Sequence, residues 1–360
     1  MKPVRILVDS LADADLPNAQ MGNAREIIQR LNPNQFHVSV FCLKDPDQRI
    51  AERPNTKIIY LPERRRTLRI LQEYIWGSQK ILFYLKSAPA SRFYMRMRQV
   101  KKDGRVTIGS VESQSNIQCE LTVKKKDIRL WEQTILSCDY LFSNSHAVQK
   151  NLALEYGLPS EVVPTGVDTQ FFTPVTREKN ARLEVLFVGS LRPFKQPRTL
   201  MEAGQRFPFA DFVLAGEGAM RAELEAQLRR DRIPNVQFVG QKTSEQLREL
   251  YQRADVFLFP SLWEGSPKVI LEAAACALPV IARKNYRPET VVDGITGYLV
   301  SSDEELFQRL GQLLQDADLR RRFGIAGREH SEKFDWSVIT AKWEEIFSCL
   351  CRGDDHGQAS

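Results

Sequence analysis

The sequence predicts an α/β protein of two doubly wound domains. Short apolar runs alternate with longer amphipathic ones through both halves, the pattern of β-α units on a parallel sheet. The 360 residues exceed the size at which one core keeps growing, so two domains of similar size sharing one cleft are expected. Pro164-Thr165-Gly166-Val167-Asp168 through Pro174, then polar residues to Arg182, reads as the linker and hinge between them.

In the first half, strands are expected near Val4–Val8, Phe36–Leu43, Lys57–Leu61, Arg105–Ile108 and Asp139–Phe142. Helices are expected near Gly22–Leu31, Lys124–Ser137 and Ala147–Tyr156. The second half repeats the alternation with strands at Glu184–Val188, Asp211–Leu214, Val236–Val239, Val256–Phe259 and Val280–Ala282. A last helix from about Trp336 to Leu350 precedes a polar tail over 351–360 that reads as disordered.

Composition is that of a globular chain, 42% hydrophobic and 27% charged, and no apolar run reaches the ~18 residues of a membrane span. The start, Met1-Lys2-Pro3-Val4-Arg5, lacks the apolar core of a secretory signal, so a cytoplasmic location is expected. Six scattered cysteines without a CxxC pair read as reduced structural thiols. The net charge of +6 is uneven: Pro62 to Arg105 holds twelve Lys/Arg against Glu63, Glu73 and Asp103.

The most informative segment is Trp263-Glu264-Gly265-Ser266-Pro267-Lys268-Val269-Ile270-Leu271-Glu272, which follows an apolar strand. Ser266 is a favoured N-cap and Pro267 suits the first helical position, so a helix is expected to start there. Its open amides and dipole would attract an anion such as a diphosphate, in the crevice where open α/β sheets hold ligands. Glu272 lies ~9 Å along that helix, but its side chain leans back towards the start, within reach of a sugar diol. Glu264, on the loop, would meet hydroxyls of the transferred sugar. The bland alternative makes Glu264 a solvated acid and Glu272 a buried acid paired with a lysine. In the loop Gly189-Ser190-Leu191-Arg192-Pro193-Phe194-Lys195, Lys195 and Arg192 stand at the same sheet edge as phosphate contacts or as solvated cations.

The E-x7-E spacing of Glu264 and Glu272, within EGSPKVILEAAACALPVIA, resembles the donor motif of glycosyltransferase family 4, retaining enzymes of the GT-B fold. FVGSLRPFK, LAGEG, NVQFVG, ADVFLFPS and DGITGYLV agree in order, as do SNSHAVQKNLALEYGLP and PTGVDTQFF upstream, covering about residues 139–350. The resemblance implies two Rossmann-like domains facing across a cleft: an acceptor domain over 1–170, a nucleotide-sugar domain over 171–335, and a helix over 336–350 returning to the first. It implies a metal-independent, retaining transfer of a hexosyl group from a nucleoside-diphosphate sugar to a glycolipid or polysaccharide hydroxyl. No cofactor is expected beyond that donor. Lys195 matches one member of the family's diphosphate-binding basic pair; the other is Ser190 here, and Arg192 stands as its substitute. Gly189, Ser190, Gly265, Ser266, Pro267, Lys268, Val269 and Glu272 are the expected donor contacts, with backbone contacts to the base near Val239 and Gly240. Ala277 and Lys284-Asn285-Tyr286 stand where the family usually has glycines.

The first half matches less. Only Gln20-Met21-Gly22-Asn23 can serve as the family's glycine-rich loop, with Gly22 and Asn23 its candidate contacts, and no histidine lies between His37 and His146. Glu112, after a strand, is the candidate replacement, orienting the acceptor or a sugar hydroxyl, or else a plain surface acid. Asp13-Ala14-Asp15 and Asp316-Ala317-Asp318 imitate a metal-binding DxD and read as surface acids. Gly216-Glu217-Gly218 reads as a turn leading into a helix, and His146 as a packing or capping residue. The basic stretch 62–105, interleaved with Tyr74, Trp76, Phe83, Tyr84, Phe93 and Tyr94, can lie on an anionic membrane surface or pack as a helix with a solvated basic face. Nucleic-acid binding is not expected, because charge alone is no fold motif. The competing class is a catalytically silent GT-B-like binding module, motivated by Ser190, Ala277 and the absent histidine.

Overall fold

A computed structural model of the chain describes residues 2–14, 19–86, 88–112, 125–176 and 181–352. The expectations on Asp15, Cys119, Lys124, residues 177–180 of the linker and the tail from 353 fall outside them. The chain divides into two compact units: one runs to Pro164 and resumes at Trp336, and the other is Thr165–Asp335. The first boundary therefore falls after Pro164 rather than after 170. Val167 N donates to Phe334 O (2.9 Å), the Thr169 hydroxyl donates to Asp335 (2.6 Å), and Val167 and Phe172 lie in the second core, which ties this stretch to the second unit.

The first unit contains β1 (Val4–Leu11), α1 (Ala19–Arg30), β2 (Phe36–Cys42), α2 (Gln48–Ala51), β3 (Thr56–Tyr60), α3 (Arg66–Trp76) and β4 (Ile81–Phe83). It continues through α4 (Pro89–Val100), β5 (Val106–Val111), α5 (Lys125–Glu132), β6 (Tyr140–Ser143), α6 (His146–Tyr156) and β7 (Glu161–Val162). The described strands form one parallel sheet in the order β3-β2-β1-β4-β5-β6-β7. The second unit contains β8 (Leu183–Val188), α7 (Arg198–Arg206), β9 (Ala210–Ala215), α8 (Arg221–Asp231), β10 (Val236–Gly240), α9 (Ser244–Arg253) and β11 (Val256–Phe259). It ends with α10 (Lys268–Ala275), β12 (Val280–Arg283), β13 (Gly297–Val300), α11 (Asp303–Gln315) and α12 (Ala317–Glu332). Its parallel sheet has the order β10-β9-β8-β11-β12-β13.

Each sheet reverses strand order once, between β1 and β4 and between β8 and β11, and such a switch point opens a crevice at the strands' C-terminal ends. Strands buried on both faces explain the continuous apolar runs: Phe257, Leu258 and Phe259 are fully buried. The last helix, α13 (Trp336–Arg352), belongs to the first unit and extends past 350. Its buried Trp336, Ile339, Trp343, Ile346, Phe347 and Leu350 recur at helical spacing, and Trp343 packs on Phe83 and Phe142 at ring distances of 4.7 and 4.8 Å.

One expectation fails locally. Gln20–Asn23 is no loop but the opening of α1, where Gly22 stands in open space and the Asn23 side chain is buried. The basic stretch 62–105 forms two helices and a three-residue strand packed on the first unit: α3 and α4 bury Tyr74 and Tyr94 beside each other at 5.4 Å.

Candidate functional site

The second sheet's switch point is built by the loops that follow β8 and β11. Beyond β8 the chain stays in register with its neighbours: Gly189 N bonds Ala215 O (3.0 Å), Leu191 N bonds Glu217 O (2.9 Å) and Gly216 N bonds Gly240 O (2.8 Å). This close approach is why glycines recur there. A Cβ on Gly216 would sit 2.0 Å from Gly189 O, and one on Gly218 2.5 Å from Leu191 O. The Gly216-Glu217-Gly218 turn thus supports the Gly189 loop from beneath.

The loop then makes a 3-10 turn, Pro193–Lys195, with Arg192 exposed at its cap. Leu262 N donates to Phe194 O (2.8 Å), which locks the β8 loop onto the β11 loop. Across that junction Lys195 Nζ pairs with Glu264 Oε1, and the Ser261 hydroxyl donates to the same oxygen at 2.5 Å. The ammonium also stands 4.9 Å from the Phe259 ring centroid. Lys195 and Glu264, predicted separately, are thus in contact, and neither is a freely solvated charge: their side chains are 15% and 14% exposed. Arg192 makes no ion pair among the described residues, and Ser190 is half-buried between Gly189 and the turn.

Helix α10 starts one residue later than expected. Pro267, with φ −71° and ψ 109°, is the cap, Lys268 is the first helical residue, and no side chain caps the start. The extended ψ at Pro267 keeps Ser266 outside the helix, so its hydroxyl does not cap. Ile270 N turns back to Pro267 O (3.1 Å), while the preceding amides of Lys268 and Val269 open at the same end as Gly265 and Ser266. Glu272 is buried and accepts from the Tyr251 hydroxyl at 3.0 Å, with Lys268 Nζ at 3.7 Å. That contact with the residue one turn earlier shows the carboxylate leaning towards the helix start. Burial, then the Glu272 charge, pushes the Tyr251 phenol pKa well above its usual value, and burial lifts the Cys276 thiol to about 12.

Sequence reasoning missed Tyr251 and marked Tyr286 only as a departure from the family's glycines. Tyr286 is fully buried, and its phenol is held protonated by burial and by the Glu264 carboxylate. Nothing local in the apolar face of α9 signals that Tyr251 meets Glu272 across two helices. The other departures at this edge are accommodated: Asn285 donates its side-chain amide to Leu262 O, and Ala277 takes a left-handed φ of 59°. Val239 and Gly240 end β10, the edge strand two positions from β8, where Gly240 has φ 75°.

Glu112 lies in the first unit, just past β5, and is no plain surface acid. Asn23 Nδ2 and the Ser110 hydroxyl approach its carboxylate at 3.5 Å each, and Asn144 donates to its carbonyl at 2.9 Å. Burial raises its pKa against the opposing pull of Tyr84 and Lys86. Beside it Asp9, buried at the end of β1, accepts from the Tyr74 hydroxyl (2.6 Å) and from Lys86 N (2.7 Å); burial raises its pKa too. Lys86 Nζ donates to Gln20 Oε1 (2.9 Å), and burial lowers its pKa. The first sheet's switch point therefore carries a cluster of alternating charge, of which only Glu112 and Asn23 were legible in advance.

The DxD look-alikes are structural. Asp13 is buried, not a surface acid: it accepts from Leu43 N (2.9 Å) and Lys44 N (2.7 Å), bracing the loops after β1 and β2. Asp316 caps α12 through Leu319 N (2.8 Å). Ser145 rather than His146 caps α6. Among the described residues no three His, Cys, Asp or Glu side chains group as a metal site, and no helix is long and apolar enough to cross a membrane.

The family described as "Glycosyl transferases group 1" matches residues 168–330, which lie inside the second unit and contain both switch-point loops and α10. This chain carries a group 1 glycosyl transferase domain in its second unit. Its fold is GT-B: sucrose-phosphate synthase from Thermosynechococcus elongatus superposes with a TM-score of 0.83 at 20% identity, covering 98% of this chain and 100% of that one. Anabaena HepE, solved in complex with UDP and glucose, gives 0.73 at 16% identity over 96% and 99%. Among curated relatives of this glycosyltransferase, D-inositol 3-phosphate glycosyltransferase of Corynebacterium diphtheriae is 26% identical over 77% of this chain and 70% of its own length. Sulfoquinovosyl transferase SQD2 of Arabidopsis thaliana is 31% identical over 49% of this chain, which spans only 37% of that relative. Alpha-maltose-1-phosphate synthase of Mycobacterium tuberculosis is 30% identical over 61% and 66%.

Proposed function

We propose that this glycosyltransferase moves a hexosyl group, with retention and without a metal, from a nucleoside-diphosphate sugar to a hydroxyl of a glycolipid or polysaccharide acceptor. The observation that carries the reading is the placement of Lys195 and Glu264 on the two loops of one switch point, beside the uncapped start of α10. A diphosphate there meets the amides of Lys268 and Val269, the Lys195 ammonium and the exposed Arg192, which together do the charge neutralisation that a metal ion does elsewhere. As the bond to the anomeric carbon breaks, charge builds on the leaving phosphate, and each preorganised donor stabilises it by ~3 kcal/mol. The acceptor hydroxyl attacks from the leaving group's own face, so no protein nucleophile is involved.

Glu264 takes hydroxyls of the transferred sugar once the phosphate engages Lys195. Glu272, one oxygen held by Tyr251, offers the other to the ribose diol. The base lies towards Val239 and Gly240, about two strand spacings, ~10 Å, from the β8 loop. In the first unit Glu112 orients the acceptor. The HepE structure, solved with UDP and glucose, supports the nucleoside-diphosphate class of donor. The exposed Trp76, Phe93 and Val100 among the cations of residues 62–105 support peripheral contact with an anionic membrane face on the cytoplasmic side.

A thermal-shift panel of UDP, GDP and ADP with their sugars tests the donor site: a ligand at a hundred times its Kd stabilises by ~2.7 kcal/mol. Slow release of nucleoside diphosphate from the stabilising donor, lost in Glu272→Ala, is the expected activity. Stabilisation without any release, in wild type and variant alike, would leave a binding module instead.

A further inference from the structure

Helix α4 has two apolar faces and the fold uses one. Ala90, Tyr94 and Met95 are buried against the unit. Arg92, Phe93, Arg96, Met97 and Val100 recur at spacings of three and four on the other side, with Phe93 53%, Met97 41% and Val100 90% exposed. This stripe alternates arginine with apolar residues and includes no acid.

Between α4 and α5 it forms one wall of a groove of about 850 Å3, within the size range of ligand pockets. Arg92, Phe93 and Arg96 face Arg129, Leu130 and Gln133 across it. Two buried polar atoms here have no hydrogen-bond partner among the described residues: Arg92 Nε, a donor, and Gln133 Oε1, an acceptor. Arg92 Nε calls for an acceptor oxygen, in a setting of three guanidinium groups an anionic one; Gln133 Oε1 calls for an O–H or N–H donor. A phosphate ester carrying a free hydroxyl supplies both, and the apolar side chains on either wall suit methylenes.

We propose that this groove holds the headgroup of an anionic, hydroxyl-bearing phospholipid of the phosphatidylglycerol type, its acyl chains leaving along Phe93, Met97 and Val100 into the bilayer. The proposal rests on the reading that residues 62–105 meet an anionic membrane and adds the lipid and the contacts. The arginine pair Arg96 and Arg129 sets affinity, and Gln133 distinguishes a headgroup with a hydroxyl from bare phosphate.

The test is flotation of the full chain with vesicles of phosphatidylcholine alone, mixed with phosphatidylglycerol, or mixed with phosphatidic acid. The wild type is expected to bind phosphatidylglycerol vesicles, and the double variant Arg96→Gln/Arg129→Gln to lose about tenfold or more in affinity. Arg64→Gln/Arg65→Gln, which removes equal charge outside the groove, is expected to lose severalfold less. Gln133→Leu is expected to erase any preference for phosphatidylglycerol over phosphatidic acid. Melting curves by circular dichroism check that the variants are folded; Arg96 and Arg129 are exposed, so their replacement should leave melting unchanged. Equal losses in the two double variants would overturn the groove while leaving membrane contact standing. No binding of the wild type to either anionic vesicle would overturn both. Binding of free glycerol 1-phosphate with the same arginine dependence, but no vesicle binding, would show a soluble phosphate ester as the ligand and overturn the lipid.

Discussion

Lys195 pairs with Glu264 across the junction of the β8 and β11 loops, and the Ser261 hydroxyl shares the same carboxylate oxygen. The pair spans the point where strand order reverses, so the ammonium and the carboxylate are each held by a different half of the sheet. In the proposed reaction a donor phosphate entering the crevice competes with Glu264 for Lys195, and Ser261 remains to hold the released carboxylate.

Replacing Lys195 by alanine is therefore expected to lower kcat for sugar transfer by about a hundredfold, the size of effect seen when one preorganised donor is removed. Steady-state kinetics with the donor identified by thermal shift will check it. A fall confined to KM would show that Lys195 binds ground state and transition state alike.

Gly216→Ala should destabilise the second unit by about 3 kcal/mol or more, read as a lower midpoint in urea. The new Cβ would sit 2.0 Å from Gly189 O at a residue with φ 141°, and the obstacle is backbone within the sheet, which cannot move aside cheaply.

Ala277→Gly should do the opposite. Ala277 N bonds Ala274 O (2.9 Å) and Leu278 N bonds Ala273 O (3.0 Å), a Schellman ending of α10 with alanine at the left-handed position glycine usually takes. Relieving that φ of 59° is expected to add about 1 kcal/mol and to raise Tm by about 2–4 °C in a melting curve.

Glu112→Gln should change how stability varies with pH. Burial raises the folded-state pKa of Glu112 above the usual 4.5. Below that value folded and unfolded chains both hold the proton; as pH rises past it the unfolded chain ionises first, so the wild type loses stability until the folded carboxyl ionises as well. Glutamine cannot ionise, so the difference in unfolding free energy between variant and wild type is expected to move in the variant's favour across that window. A constant difference across the acidic range would place Glu112 in water.

Much of the candidate site's local structure was legible because its signals are local. The run Trp263–Glu272 carries its own strand end, turn and helix, and the pattern around Lys195 marks a loop at the same sheet edge. The start of α10 was misplaced by one residue because Ser266 and Pro267 each have a favoured position, and only the ψ of Pro267 chooses between them. The strands β4, β7 and β13 were not anticipated; β4 and β7 are runs of three and two residues, too short for either period to tell strand from helix. In the first unit Glu112 and Asn23 were picked out separately and without Asp9, Lys86 and Asn144, which reach Glu112 or its neighbours from three other strand ends.

The order of residues alone determined that the chain would build parallel sheets flanked by helices and would bear a turn into a helix before Glu272, because apolar period and turn chemistry act within a few neighbours. Only the tertiary structure decided that Lys195 meets Glu264, 69 residues away, that Tyr251 holds Glu272, and that α4 turns an arginine and apolar stripe outward. Those contacts depend on which strands lie side by side and which helix face the core leaves uncovered, and neither is written in any short stretch of sequence.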